Sequence, residues 1–260
     1  MNSRPVNREP MHGTTDAAAP VAVTVPGAPI APLVLRGSGT SCRVQYWSFQ
    51  PHTAQLVMYQ QHRLPSLADL HRWADELRAA GFTCVRTTAL ATTAALRAET
   101  AGFHMIQDLV LLEHRSPRDA PPPASTTHRL LTAHHAAASE VDRAAFGQNW
   151  ALETRALADV CAATPRHRSR GSDTPLAAYA ISGRDGKQGF LQRLAVHPTA
   201  QGNGLGRTLV LDSLQWLARW RVQQVLVNTP VDNERALQLY ESLGFRRMSE
   251  RLRVFERALA

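Results

Sequence analysis

The chain has 260 residues, 44% of them hydrophobic, and a formal net charge of +8. That length gives room for one large domain or two small ones with a real core, and it contains no apolar run of the roughly 18 residues that a membrane span needs. The basicity is almost all arginine, Lys187 being the one lysine. It is spread along the chain without interleaved aromatics, which argues against a nucleic-acid partner.

Residues 1–32 are small, polar and proline-rich and read as a disordered tail. Pro20, Pro26, Pro29 and Pro32 interrupt the apolar stretch that an export signal requires. Residues 33–118 read as a folded unit. Segments 44–49 and 54–59 carry β-branched and aromatic residues in strand-like runs. Pro65 and Ser66 then open a helix with Leu67, Leu70, Trp73, Ala74 and Leu77 on one face, ended by Gly81. A strand over 82–88, a helix over 92–101 stopped by Gly102, and a strand over 106–113 follow. Residues 119–126, with Pro121, Pro122 and Pro123 in a row, form a stiff linker.

A second unit is expected over 127–260. Its elements are a strand over 128–132 and a helical stretch over 139–160, capped by Ser139 and broken near Gly147. A polar, arginine-rich loop covers 164–174, and strands over 176–182 and 189–196 flank a turn made of Gly183, Arg184, Asp185 and Gly186. A strand over 222–229, a helix over 234–243 stopped by Gly244, and a strand over 251–256 complete it. Residues 81–103 lie over 223–245 without a gap. The agreements are Val85/Val227, Thr87/Thr229, Ala94/Ala236, Glu99/Glu241, Gly102/Gly244 and Phe103/Phe245. Each stretch runs strand, helix, Gly-Phe, so the first unit reads as a degenerate copy of the second.

One stretch of the second unit points to a ligand. After the strand ending at Val196, Pro198 stops ladder pairing. Gly202, Gly204 and Gly206 then leave backbone amides bare at the start of a helix carrying Val210, Leu214 and Leu217. Bare amides at a helix N-terminus favour phosphate. Two nucleotide patterns fail on spacing. Arg207 stands where a dinucleotide fingerprint needs its third glycine, and no Gly-Lys-Ser/Thr follows at the distance of a nucleoside-triphosphate loop. Gln201, Gly204 and Gly206 instead resemble the acyl-CoA loop of the GNAT superfamily of N-acetyltransferases. The resemblance continues downstream in Asn233, Ala236, Tyr240, Gly244 and Phe245, and it extends over residues 127–260. The matching segment before the first unit's helix, Gln60, Gln61, His62, Arg63, Leu64 and Pro65, has no such glycines.

The resemblance implies an α/β (α+β) fold: a mixed, mainly antiparallel central sheet flanked by helices, with a smaller degenerate GNAT-like unit over 33–118. It implies acetyl-CoA as co-substrate, a primary amine on a small molecule or protein as acceptor, direct attack in a ternary complex, and no metal. Cofactor contacts would come from Leu194, Ala195 and Val196 on the strand, from Gln201, Gly202, Asn203, Gly204, Leu205, Gly206 and Arg207 in the loop, and from Asn233. Tyr240 would protonate the leaving thiolate. The family often places a glutamate on the central strand as base, but Leu191, Gln192, Arg193 and Leu194 offer no carboxylate. Glu153, Asp159 or a chain of waters are the alternatives, and a non-catalytic acyl-CoA-binding module is the competing function. Cys42, Cys84 and Cys161 form neither a metal pattern nor a disulfide framework, which fits a reducing cytoplasm. The acceptor's identity and the oligomeric state are left open.

Overall fold

A computed structural model describes residues 34–58 and 63–259. The expected tail over 1–32 and the residues 60–62 of the first unit's helix approach lie outside the described residues. Eleven strands form one sheet, and six α-helices pack on it. The strands are β1 (Val34–Arg36), β2 (Ser41–Trp47), β3 (Gln50–Met58), β4 (Cys84–Thr87), β5 (His104–His114), β6 (His128–Arg129), β7 (Arg166–Ser172), β8 (Ala178–Asp185), β9 (Gln188–Val196), β10 (Gln224–Pro230) and β11 (Arg246–Ala258). The helices are α1 (Leu67–Ala79), α2 (Thr92–Thr100), α3 (His135–Phe146), α4 (Thr154–Ala162), α5 (Leu205–Arg219) and α6 (Glu234–Ser242). No helix among the described residues is long and apolar enough to cross a membrane.

Sheet order is β1-β2-β3-β4-β11-β5-β10-β9-β8-β7-β6. Pairing is parallel at β3/β4 and β9/β10 and antiparallel at the other neighbours. The mixed, mainly antiparallel sheet flanked by helices is thus the observed fold class. The order also shows a reciprocal exchange. The last strand of the first half, β5, lies between β10 and β11, and the last strand of the second half, β11, lies between β4 and β5. The duplication itself is finer than the six identities suggested. Superposing 81–103 on 223–245 puts Thr92, the start of α2, on Glu234, the start of α6, and the next residue pair, His104 and Arg246, opens β5 and β11.

Three cores fill the molecule. Trp73, Leu77, Phe82 and Phe255 pack under α1 and α2. Leu209, Leu214, Leu217, Tyr240 and Phe245 pack under α5 and α6. On the opposite face, Val141, Leu157, Tyr179 and Ile181 pack under α3 and α4.

Several local expectations are corrected. The arginine-rich 164–174 segment is mostly strand β7, not loop. Arg168 holds Asp212 at 3.0 and 3.1 Å and Arg170 bonds the Thr127 hydroxyl at 2.8 Å, and charge suits a strand near a sheet edge. Ser139 is no cap: α3 starts at His135, and the Ser139 hydroxyl donates to the Leu152 carbonyl at 2.9 Å. The β8–β9 turn is tighter than expected, Gly186 and Lys187 alone, with Gly186 at φ 53°. Gly183 sits inside β8, where a Cβ would lie 2.4 Å from the Gln192 side-chain oxygen. That space admits a bulge in β9, since Ile181 faces Arg193 while Ser182 faces Leu191.

Candidate acyl-CoA site

The central feature is a gap between two parallel strands. β9 and β10 pair over Gln188–Phe190 and Gln224–Leu226, and then part. β9 continues to Val196 and β10 to Pro230 without pairing to each other. His197 N donates to Ala177 O on the β8 side at 2.8 Å. Backbone alternation therefore turns the polar groups of Ala195 towards β8 and those of Leu194 and Val196 towards the gap. The Val196 carbonyl accepts a bond from Gln201 Nε2 at 3.2 Å, which pulls the following loop back over the strand end. Gln201 is held in turn by Arg235 of α6.

The loop ends in a helix that nothing caps. Gly204 is the residue before α5, at φ 78°, with no side-chain cap. The amides of the first turn, Leu205, Gly206 and Arg207, have no partner within the helix, and the dipole adds partial positive charge there. Gly202 and Gly204 have positive φ and open space above them. Gly206 is closely surrounded: a Cβ there would lie 3.3 Å from Leu239 and 3.6 Å from Val196. Asn203 is exposed at the tip. Beside Arg207, a cavity of about 690 Å³ opens between the ends of α5 and α6, lined by Arg115, Arg207, Ser242 and Arg246 among others.

Asn233 precedes α6 and its side-chain oxygen accepts the Ala236 amide at 3.1 Å. Tyr240, about two turns further along that helix, is 5% exposed and leans on Phe245 with ring centroids 5.6 Å apart. Burial pushes its phenol up, against the opposing pull of the Arg193 guanidinium.

Arg193 belongs to a buried network that the sequence did not suggest. It projects from β9 on the α3/α4 face and donates through Nε and Nη2 to the two oxygens of Asp142, at 2.8 and 2.6 Å. Asp142, on α3, is fully buried and also accepts the Leu152 amide at 2.7 Å and the Tyr179 hydroxyl. Arg193 donates further to the Trp150 carbonyl at 2.8 Å and lies 3.7 Å over the Phe146 ring. Burial opposes a charged Arg193, but Asp142 outweighs it and holds the guanidinium protonated. The available signal was an acid on the apolar face of α3, between Ala138, Val141 and Ala145. Of the two acids considered from sequence, Asp159 meets Arg43 of β2 at 3.7 Å, and Glu153 has its amide on the Ser48 hydroxyl at 3.3 Å. His197 bonds Thr199 at 2.7 Å, as a turn residue.

The first half also reaches the loop between α3 and α4. Trp47 Nε1 donates to the Asn149 carbonyl at 2.8 Å, and its ring meets Trp150 edge-on at 5.5 Å. Gln50 Nε2 bonds the Asn149 side chain at 3.1 Å.

The equivalent place in the first half is closed. β3 and β4 stay paired through Leu56 and Thr87, close to their ends. Counting from the strand starts Gln50 and Gln188, Ser66 takes the place of Gly204, and Asp69 that of Arg207. Ser66 and Asp69 make a complete capping box. The buried Asp69 carboxylate also accepts bonds from Ser38 N and Oγ at 3.1 and 2.9 Å. Burial works against its ionisation, yet the bonds from Ser66 and Ser38 prevail and hold the carboxyl below the usual range. An internal carboxylate thus occupies the first turn of α1, where the first turn of α5 has no side-chain cap. Ala91 and Ala98 stand where Asn233 and Tyr240 would be.

Residues 130–245, just under half of the chain, match the model of the Acetyltransferase (GNAT) family. The chain is 34% identical over 68 residues to N-alpha-acetyltransferase 30 of Saccharomyces cerevisiae, covering 26% of this chain and 39% of that protein. It is 47% identical over 53 residues to the mycothiol acetyltransferase of Acidothermus cellulolyticus, 20% of this chain and 16% of that one. Each match therefore spans well under half of the relative. In overall fold the chain is similar to a tandem GNAT protein from the clavulanic acid biosynthesis pathway, with TM-score 0.59, 16% identity, and coverage of 89% of this chain and 85% of that chain.

Proposed function

We propose that this chain, whose residues 130–245 match the GNAT family model, is an acetyl-CoA-dependent N-acetyltransferase that modifies a primary amine. The observation that carries the reading is the parting of β9 from β10 beside an uncapped helix, set against the closed pair and capped helix of the first half. The two units of the reading are 33–118, without a cofactor site, and 127–260, joined by 119–126.

The residues fit the group. The gap-facing backbone of Leu194 and Val196 would pair with the pantetheine arm, and the amides of Gly202 to Arg207 would take the pyrophosphate. The cavity beside Arg207 suits the nucleotide end. Asn233 would border the arm, and Tyr240 would stand at the sulfur. When bound, acetyl-CoA supplies an activated acetyl group. The acceptor nitrogen would form its bond to the carbonyl carbon as the carbon–sulfur bond breaks. Tyr240, kept protonated by burial, would give its proton to the thiolate and be restored by the proton lost from nitrogen. The relatives' names, one an N-alpha-acetyltransferase and one a mycothiol acetyltransferase, support acetyl transfer.

Acetyl-CoA is expected to raise the melting temperature of the full chain, and Gly204→Glu to remove that shift by placing a carboxylate at the anion position. Tyr240→Phe should keep the shift and lose about 10²-fold in thiol release. No shift with any acyl-CoA would overturn the proposal. Unchanged turnover in Tyr240→Phe would remove the tyrosine from the mechanism.

A further inference from the structure

The gap between β9 and β10 is open to an acceptor from one side. On the α5/α6 face it is packed by Leu194, Val196, Leu205 and Tyr240, all members of one core. On the other face, the chain held over β9 is the irregular stretch 147–153 between α3 and α4. Its Trp150 carbonyl accepts from Arg193, the residue beside Leu194, at 2.8 Å. Leu152 is fixed from α3, with its amide on Asp142 at 2.7 Å and its carbonyl on Ser139 at 2.9 Å.

At Asn149 the holding groups come from the first half. The Asn149 carbonyl accepts Trp47 Nε1 at 2.8 Å, and its side-chain oxygen accepts Gln50 Nε2 at 3.1 Å. The Glu153 amide donates to Ser48 Oγ at 3.3 Å, and the Trp47 and Trp150 rings meet edge-on at 5.5 Å. Trp47 is backed in turn by Arg86 of β4, which lies 4.7 Å over its ring and pairs with Glu256 of β11. Cys42, Val44 and Tyr46 of β2 pack towards α1 and α2, so alternation sends Arg43 and Trp47 to the face that carries α3 and α4. Arg43 meets Asp159 of α4 there at 3.7 Å.

These partners are far apart in the sheet. The strand order puts six spacings between β2 and β9, roughly 29 Å if the sheet were flat. Trp150 nevertheless touches side chains of both strands. The sheet is therefore bent towards the α3/α4 face, and Trp47 against Trp150 closes the bend beside the gap.

Building on the N-acetyltransferase reading, we propose that Trp47 is a positioning residue for the acceptor: the first half holds the 147–153 loop in place over the gap and thereby sets the acceptor's KM. The contact acts through the fraction of molecules with the loop in place. An acceptor that binds only to that arrangement loses apparent affinity in proportion to the fraction, while the bound complex reacts as before. One hydrogen bond and one aromatic edge contact are enough to lower the fraction to about one-tenth. Gln201 and Asn233 are held from within the second half, so acetyl-CoA affinity is independent of Trp47.

The test uses the full chain as wild type, Trp47→Ala, Trp47→Phe and Gln50→Ala. Thiol release from acetyl-CoA is measured with glycinamide, a tripeptide with a free N-terminus, and Nα-acetyl-lysine amide as acceptors. Trp47→Ala should raise the acceptor KM about 10-fold, with kcat and the calorimetric Kd for acetyl-CoA unchanged. Trp47→Phe, which keeps an aromatic edge without the N–H, and Gln50→Ala should fall between it and the wild type. Amide hydrogen exchange needs no acceptor: in Trp47→Ala it should be about 10-fold faster over 149–153 and unchanged over 201–207. Unchanged exchange over 149–153, or an unchanged KM, would overturn the proposal. A loss of kcat and acetyl-CoA affinity at constant KM would do the same, since Trp47 would then only support the fold. Those results leave the N-acetyltransferase reading standing, whereas a wild type that binds no acetyl-CoA, or releases no thiol with any acceptor, sinks that reading and this inference with it.

Discussion

Removing Asp142 should cost this protein more than almost any other single truncation. The side chain is fully buried and receives four hydrogen bonds, two from Arg193, one from Leu152 N and one from Tyr179. In Asp142→Ala the guanidinium, 18% exposed, would remain without a counter-ion, which typically costs about 3–5 kcal/mol. The stranded Leu152 amide and Tyr179 hydroxyl add to this without being simply additive. For a chain of this size that corresponds to a fall in melting temperature of about 10 °C. Arg193→Met in the same background takes away the buried charge. The double variant should therefore be more stable than Asp142→Ala, by about 2 kcal/mol. Equilibrium urea unfolding of the four proteins, with their m-values compared, measures the coupling. If each single change costs under about 1 kcal/mol and the two add, the pair is solvated.

Two other outcomes are expected. His114 is buried, with Nδ1 accepting the Ser116 amide at 3.2 Å; burial lowers its pKa against the opposing Leu243 carbonyl and Asp119 charge. His135 is likewise lowered, chiefly by burial. The unfolded chain takes up these protons first as pH falls, so stability should be full above about pH 6.5 and decline below it, by up to about 1.4 kcal/mol per unit per histidine. A melting temperature flat between pH 7 and 5 would contradict this. Separately, residues 34–118 and 119–260 expressed apart should each lack a cooperative transition and regain it when co-expressed. A monomeric second half with the stability of the whole would show that β5 is dispensable.

What the sequence made legible is local. The helix face of α1, the Asn233 cap, the glycine stops and the loop over 201–206 depend on residues within a few positions of one another, and each was readable from type and spacing. The bulge at Gln192 was not readable, because it requires the small Gly183 across the ladder. Nor was Asp142, which is an acid on an apolar stripe until Arg193 is brought to it from 51 residues away. Strand β7 was missed because its arginines look like loop, and only their partners Asp212 and Thr127 show why they tolerate pairing. The exchange of β5 and β11 was out of reach for a different reason. Val110, Leu111 and Leu112 identify β5 as a central strand, but an apolar run says nothing about which neighbour it pairs with.

That exchange bears on why the first half can lack a site and still be needed. The first turn of its helix α1 is capped by its own Ser66 and Asp69. Ala91 and Ala98 stand where Asn233 and Tyr240 would be, and Ala98 is itself packed in the core with Phe103 and Val85. None of these differences touches the sheet. The strand contributed to the other half does: β5 covers the edge of β10 over Val225–Pro230, the same strand whose opposite edge parts from β9. A strand released on one side keeps its position only if it is paired on the other. The open gap of the second half is therefore held by the first, through β5 at its base and through Trp47 against the loop that Arg193 anchors.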